Sequence, residues 1–249
     1  MLKLKKFCVC VVCLVLVINL FVPLEVQAVT KREALDFYNS FNNAIKESTI
    51  SEIRDCFENY SENEIIEIFR VSGISYPKTQ AYFFIAGGLQ EIGALEKSYE
   101  YYSKAISCIN NIKDVDHELK AVIFKCRATC LFYMMYAINK FDEKNVKKMF
   151  DDFEISLKSN ANDYDTFYAL GTVYSVLGDK ETELKCLTMA KNLCEDYETK
   201  QEIQERIISA QKDIDKNKHG ILDWAKEHSD DLLKISSEVL KIIALLCCS

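Results

Sequence analysis

Apolar positions along this chain recur at steps of three and four rather than two, so they gather on one side of successive helices. The pattern predicts helices over 31–47, 50–58, 61–70, 79–92, 95–109, 117–139, 143–158, 164–177, 180–194, 199–215 and 221–246. Short polar connections separate them: Gly73 through Pro77, Gly93, Asn110 with Asn111, Ser159 through Asp163, Gly178 with Asp179, and Gly220. Beyond residue 28 the chain holds one proline, Pro77, and seven glycines. That scarcity favours helix, since an interior Pro costs about 3 kcal/mol and a Gly about 1 kcal/mol. Thr30 with Glu33, Thr49 with Glu52, and Ser61 with Glu64 match the capping box, in which a hydroxyl and a carboxylate satisfy reciprocal backbone N–H groups. No alternating strand pattern of useful length occurs, and the expected fold class is all-α.

Two windows repeat. AYFFIAGGLQEIGALEKSYEYYSKAI runs from Ala81 to Ile106, and DTFYALGTVYSVLGDKETELKCLTMA from Asp165 to Ala190. Each opens on an aromatic-rich stretch with a small residue (Ala86, Gly171), reaches a turn glycine (Gly93, Gly178), and ends its second helix near an alanine (Ala105, Ala190). The small mid-helix residue permits close approach of the paired helix, and the glycine turns the chain back antiparallel. One such hairpin cannot bury its apolar face alone, so neighbours must stack. Residues 113–163 read as a third hairpin with a longer first helix, and 31–70 as a divergent opening unit.

On these residues the chain resembles the tetratricopeptide repeat family. Tyr82, Ile85, Ala86, Leu89, Gly93, Tyr102 and Ala105 carry the match in the unit at 79–112. Phe167, Leu170, Gly171, Tyr174, Gly178, Leu187 and Ala190 carry it at 164–197. Departures are Ser98 and Glu183 at the small position of the second helix, and Asn110 and Glu195 at the closing proline. The resemblance implies stacked hairpins in a short solenoid whose first helices line a concave groove for a peptide or protein segment. Its groove positions fall on Gln80, Phe83, Gly87, Gln90 and Glu91, and on Asp165, Tyr168, Thr172, Ser175 and Val176. Phe83 and Tyr168 would be aromatic anchors, with plain packing against a neighbouring helix as the competing role. Members that clamp a chaperone's C-terminal carboxylate present Lys and Asn at the places of Phe83, Gly87, Glu91, Tyr168, Thr172 and Val176; no cation stands there, which argues against that subtype.

The first 28 residues form a leader. Lys3, Lys5 and Lys6 precede an apolar run from Phe7 to Val22, then Pro23 and Val26-Gln27-Ala28, the layout of a cleaved secretory signal. The run is short for a membrane span of about 20 residues, the rival reading. The expected organisation is thus a leader at 1–28, a repeat domain at 29–215 and a C-terminal amphipathic helix within 216–249, with a periplasmic, cell-surface or secreted destination. Taking Lys3, Lys5, Lys6 and Glu25 from 31 basic and 38 acidic residues leaves 28 against 37, a net charge of −9. Such acidity argues against nucleic acid and against anionic lipid as partners. Eight cysteines remain, spread over helical stretches like small core residues rather than packed as a disulfide scaffold.

Catalytic chemistry finds little support. His117, His219 and His228 sit in polar stretches, and no metalloprotease helix, phosphate loop or nucleophile elbow is present. Cys126 and Cys130 share a helix face but lack two further placed ligands for zinc. Phe132, Tyr133, Met134, Met135 and Tyr136 read as core rather than as a ligand site. No catalytic residue, metal site or cofactor is expected. In 221–246, Ile221, Trp224, Ala225, Leu232, Ile235, Val239, Ile242, Ile243 and Leu246 make a long apolar stripe. Docking on the last hairpin is its plainest use; pairing with a second subunit and contact with a membrane surface are the alternatives. The expected function is therefore an exported scaffold that binds a protein or peptide, with an assembly component tethered through 221–246 as the alternative.

Overall fold

The computed structural model describes residues 60–216, together with the isolated positions Asp36 and Arg54. The leader expected over 1–28, the helices expected over 31–47, 50–58 and 221–246, the capping boxes expected at Thr30 and Thr49, His219, His228, Cys56, Cys247 and Cys248 lie outside the described residues. Among the described residues there are eight helices and no strands: α1 (Glu62–Val71), α2 (Pro77–Glu91), α3 (Leu95–Ile109), α4 (His117–Ala137), α5 (Glu143–Ser159), α6 (Tyr164–Leu177), α7 (Lys180–Leu193) and α8 (Tyr197–Lys216). The contacts divide them into two compact units, with the boundary after Asp114.

Local chemistry explains the helix ends. Ser61 and Glu64 close the expected capping box at α1. Asp116, Asp142, Asp163 and Asp179 cap the helices that follow them, each carboxylate accepting from a backbone N–H of the first turn. Helix α2 starts earlier than the sequence suggests: Pro77 opens it rather than breaking the chain, because the first helical position needs no N–H. Gly93 and Gly178, at φ 78° and 82°, take the left-handed conformation expected of turn glycines. The next residues, Ala94 and Asp179, donate back to Leu89 O (2.8 Å) and Tyr174 O (3.0 Å). Asn139 does the same work after α4 at φ 49°, with Lys140 N donating to Met135 O.

In the first unit α2 and α3 form an antiparallel hairpin and α1 packs on α2. Ile65, Phe69, Ala81, Phe84 and Ile85 are its buried core. The hairpin closes tightly where Ser98 Oγ donates to the Ala86 carbonyl at 2.8 Å, both residues being buried. Glu62 binds all three helices: it accepts from Tyr82 Oη (3.1 Å), Tyr101 Oη (2.8 Å) and Lys104 Nζ (2.7 Å). Lys104 also lies over the Tyr82 and Tyr101 rings. The Lys104 bond holds the Glu62 carboxyl below its ordinary range, while burial and the Glu62 bond push the Tyr82 phenol up to about 12.

In the second unit α4 pairs with α5 and α6 with α7, and α8 packs on α7. Phe150, Phe153, Leu157, Phe167, Leu170 and Leu187 are among its fully buried side chains. Phe132 and Met135 are buried, as expected of core, while Tyr136 stacks on Phe132 and stays exposed. Two partly buried ion pairs tie the helices. Arg127 donates Nε and Nη2 to Asp152 at 2.8 and 2.7 Å, joining α4 to α5. Lys125 Nζ donates to Asp163 Oδ2 at 2.8 Å, joining α4 to the start of α6, and Asp163 Oδ2 also accepts from Thr166 Oγ1. Burial alone would discharge Lys125, but the facing carboxylates of Asp163 and Asp165 outweigh it and hold its pKa above the usual lysine value. Cys126, Cys130, Cys186 and Cys194 are buried and Cys108 is partly exposed; burial pushes the Cys126 thiol above its ordinary value, so it is not an activated nucleophile.

Candidate partner-binding groove

The ten groove positions divide by unit. On α2, Phe83 is 5 % exposed and its ring packs on Tyr102 with centroids 5.9 Å apart. Gln80 is also buried, and its amide donates to the Ser75 carbonyl at 2.9 Å, steadying the connection before α2. Both spend their side chains inside the protein. Gly87, Gln90 and Glu91 remain half-buried. A Cβ added at Gly87 would meet nothing within 4 Å, so the helix surface there is open. Gln90 Oε1 accepts from Tyr102 Oη at 3.3 Å. Glu91 ends α2, and burial pushes its carboxyl up to about 7.

On α6 the five positions form a continuous accessible face. Asp165, Tyr168, Thr172 and Ser175 are half-buried, and Val176 is exposed. The spacing 165, 168, 172, 175, 176 follows the helical period, while Phe167, Leu170, Gly171 and Tyr174 point into the hairpin. Gly171 lets α7 come close: a Cβ there would stand 3.0 Å from Leu187 Cδ2. Thr172 Oγ1 donates to the Tyr168 carbonyl, and Ser175 Oγ accepts from Lys180 Nζ at 3.1 Å. Asp165 lies 3.6 Å from the Lys125 ammonium.

Helix α8 contributes a group that sequence reasoning missed. Arg206 lies over the Tyr168 ring at 4.7 Å, and its Nη1 donates to Thr172 Oγ1 at 3.0 Å. Its Nη2 stands 3.7 Å from Glu183, whose buried carboxylate takes Lys180 Nζ at 2.8 Å. The expectation of no cation at Tyr168 and Thr172 is corrected here: α6 carries none, but α8 delivers Arg206. Glu183 is the residue that departs from the small side chain Ser98 supplies in the other unit, and the two cations are what make its carboxylate tolerable inside. The Lys180–Glu183 half of this arrangement is legible as an i, i+3 pair. Arg206 is not, because its role depends on where α8 lies.

The register of α8 follows from the same contacts. Lys191 reaches Gln204, Glu183 faces Arg206, and Lys180 approaches Asp213, so numbers fall along α7 as they rise along α8. Helix α8 therefore runs antiparallel to α7 and in the sense of α6, as the first helix of a following repeat would. Among the described residues no group of His, Cys, Asp and Glu could hold a metal ion, and no helix is long and apolar enough to cross a membrane.

No family model matches the chain, and no curated protein does.

Proposed function

We propose that this chain is an exported helical-repeat scaffold of the tetratricopeptide type, which holds a protein or peptide segment on the face of α6 and α8 and catalyses no reaction. The observation that carries the reading is the Arg206–Tyr168 stack, hydrogen-bonded to Thr172. It fixes an aromatic ring and a guanidinium side by side on a partly solvated face, and such rigid, amphipathic groups supply most of the energy at protein interfaces. Asp165, Ser175 and Val176 extend that face with an acceptor, a hydroxyl and an apolar spot. A segment laid along α6 would find apolar contact at Tyr168 and Val176 and polar partners between them. The leader at 1–28 supports export, and the acidic balance supports a protein rather than a nucleic-acid partner.

The test is photo-crosslinking in the native host from a photoreactive residue at position 168. The expected result is one discrete adduct to another protein, lost when Val176→Glu is added while the helical circular dichroism is retained. Adducts confined to the chain's own α8, or unchanged by Val176→Glu, would sink the proposal.

A further inference from the structure

Among the described residues, the large apolar side chains left exposed are Tyr136, Ile138, Val176, Tyr197 and Ile208. Val176 belongs to the candidate groove. Tyr197 and Ile208 stand eleven positions apart on α8, with the exposed Gln201 and Glu205 between them. Tyr136 and Ile138 are near neighbours, at the end of a helix that outruns its counterparts. Helix α4 has 21 residues against 15 in α2 and 14 in α6, and from Tyr136 to Lys140 every residue is exposed. Ending the helix does not account for apolar residues there. Backbone bonds close the turn, from Asn139 N to Tyr136 O (3.1 Å) and from Lys140 N to Met135 O (3.0 Å), and they make no use of the Ile138 side chain. Ile138 is 70 % exposed and Tyr136 57 %, even though Tyr136 stacks on Phe132. Phe132 also meets Tyr133 and Phe141, so a buried ring anchors a small aromatic platform at the turn.

We propose that the α4–α5 turn is a lipid-contact tip, which places Ile138 and Tyr136 in the interfacial region of an anionic bilayer. Size argues against a protein partner. Two exposed side chains, at roughly 150–250 Å² for an aromatic one, fall well short of the ~800 Å² that a stable interface takes from each partner. A bilayer sets no such minimum. Tyrosine suits the headgroup level, where its ring is apolar and its hydroxyl wet. Charge agrees. From 136 to 148 the chain carries Lys140, Lys144, Lys147 and Lys148 against Asp142 and Glu143, a net of +2 within a chain of net −7. Lys140 and Lys144 are exposed, and Lys147 is paired with Asp151. The Asp142 carboxylate is turned to the start of α5, where it accepts from Asn145 N and Nδ2. Salt screens charges beyond about 8 Å, so the turn's own lysines, not the acidic surface elsewhere, set the field a headgroup meets. Their long stems let the ammonium groups hold headgroup phosphates while the apolar side chains enter beside them.

Flotation of the full chain with vesicles tests this, one set of phosphatidylcholine alone and one with phosphatidylglycerol added. The wild type is expected to float with the mixed vesicles. Ile138→Asp should lower that partitioning by about tenfold or more, with an unchanged thermal melt. Lys140→Glu together with Lys144→Glu should bring the mixed vesicles down to the level of phosphatidylcholine alone. Both variants keep every residue outside the turn, so their difference from the wild type reports on the turn itself. A wild type that stays behind, or an Ile138→Asp chain that floats equally well, would overturn the proposal. So would a melt that collapses in Ile138→Asp, since that side chain would then be packing within its own chain. A benzophenone amino acid at position 136 separates lipid from protein in cells. Phospholipid adducts are expected, and a discrete protein adduct would assign the turn to a protein partner instead.

Discussion

Arg206 rests its guanidinium 4.7 Å above the Tyr168 ring, although 37 residues and a whole helix separate the two in the chain. The same guanidinium serves Thr172 and the buried Glu183, so it belongs to the candidate surface and to the framework at once. Arg206→Ala should lower stability by about 1–2 kcal/mol in urea titration, from the lost stacking and the thinner compensation of Glu183. Arg206→Lys should restore only a minor part, because an ammonium lacks the planar fork that stacks and donates together. Full recovery with lysine would show that charge alone matters.

Two helix glycines should respond oppositely to alanine. At Gly171 the new methyl would press on Leu187, a fully buried side chain with little room to yield, and a loss of about 1–3 kcal/mol is expected. At Gly87 the space is open, and Ala should stabilise by about 0.5–1 kcal/mol through helix propensity. Chemical denaturation of both variants decides it, and a stabilising Gly171→Ala would mean that α7 is not held where it stands.

Lys125→Met should cost about 3 kcal/mol, the low end for breaking a buried pair, since it leaves the partly buried Asp163 carboxylate without its cation. Adding Asp163→Asn should recover most of the loss, because asparagine caps a helix about as well as aspartate and carries no charge. The pKa of Lys125 is raised on folding, so the ion pair contributes fully at all pH below about 10.4 and fades only as alkali deprotonates the folded form. Melts from pH 6 to 9 should therefore show no difference in slope between wild type and the double variant from this group.

Glu91 has the same sign but titrates at a far lower pH. Burial raises its carboxyl to about 7, so the folded state prefers the neutral acid. Its favourable contribution is complete below the unfolded value of about 4.3 and is lost as pH rises through 7. Glu91 also ends α2, where helix carbonyls disfavour an anion and the last turn holds no basic residue. Glu91→Gln should stabilise the protein by roughly 2 kcal/mol at pH 8 and by little at pH 4. Equal effects at both values would place the residue in ordinary solvent.

The described helices were legible because their apolar positions keep the 3.6 period and because Gly93 and Gly178 mark the turns that two left-handed residues require. The early start of α2 was less legible, since Pro77 reads equally as a breaker and as a first helical residue. Within the candidate surface, the face of α6 follows from spacing alone, but the burial of Phe83 does not. An aromatic at a groove position and an aromatic packed on Tyr102 have the same sequence; only the placement of α3 distinguishes them. Arg206 was hidden for a related reason. It sits on a polar helix among many charges, and nothing local separates a guanidinium on a ring from one in water.

The carboxylate of Glu62 carries a consequence for the order in which the first unit assembles. The α2–α3 hairpin closes over a short turn, and Ser98 meets the Ala86 carbonyl only 12 positions away. Glu62 must span 20, 39 and 42 positions to reach Tyr82, Tyr101 and Lys104. Those long closures gain nothing until the hairpin is already in place. Helix α1 is therefore expected to join last and to leave first. Its amides should exchange with solvent ahead of those in α2 and α3, with Glu62 as the latch whose release lets it go.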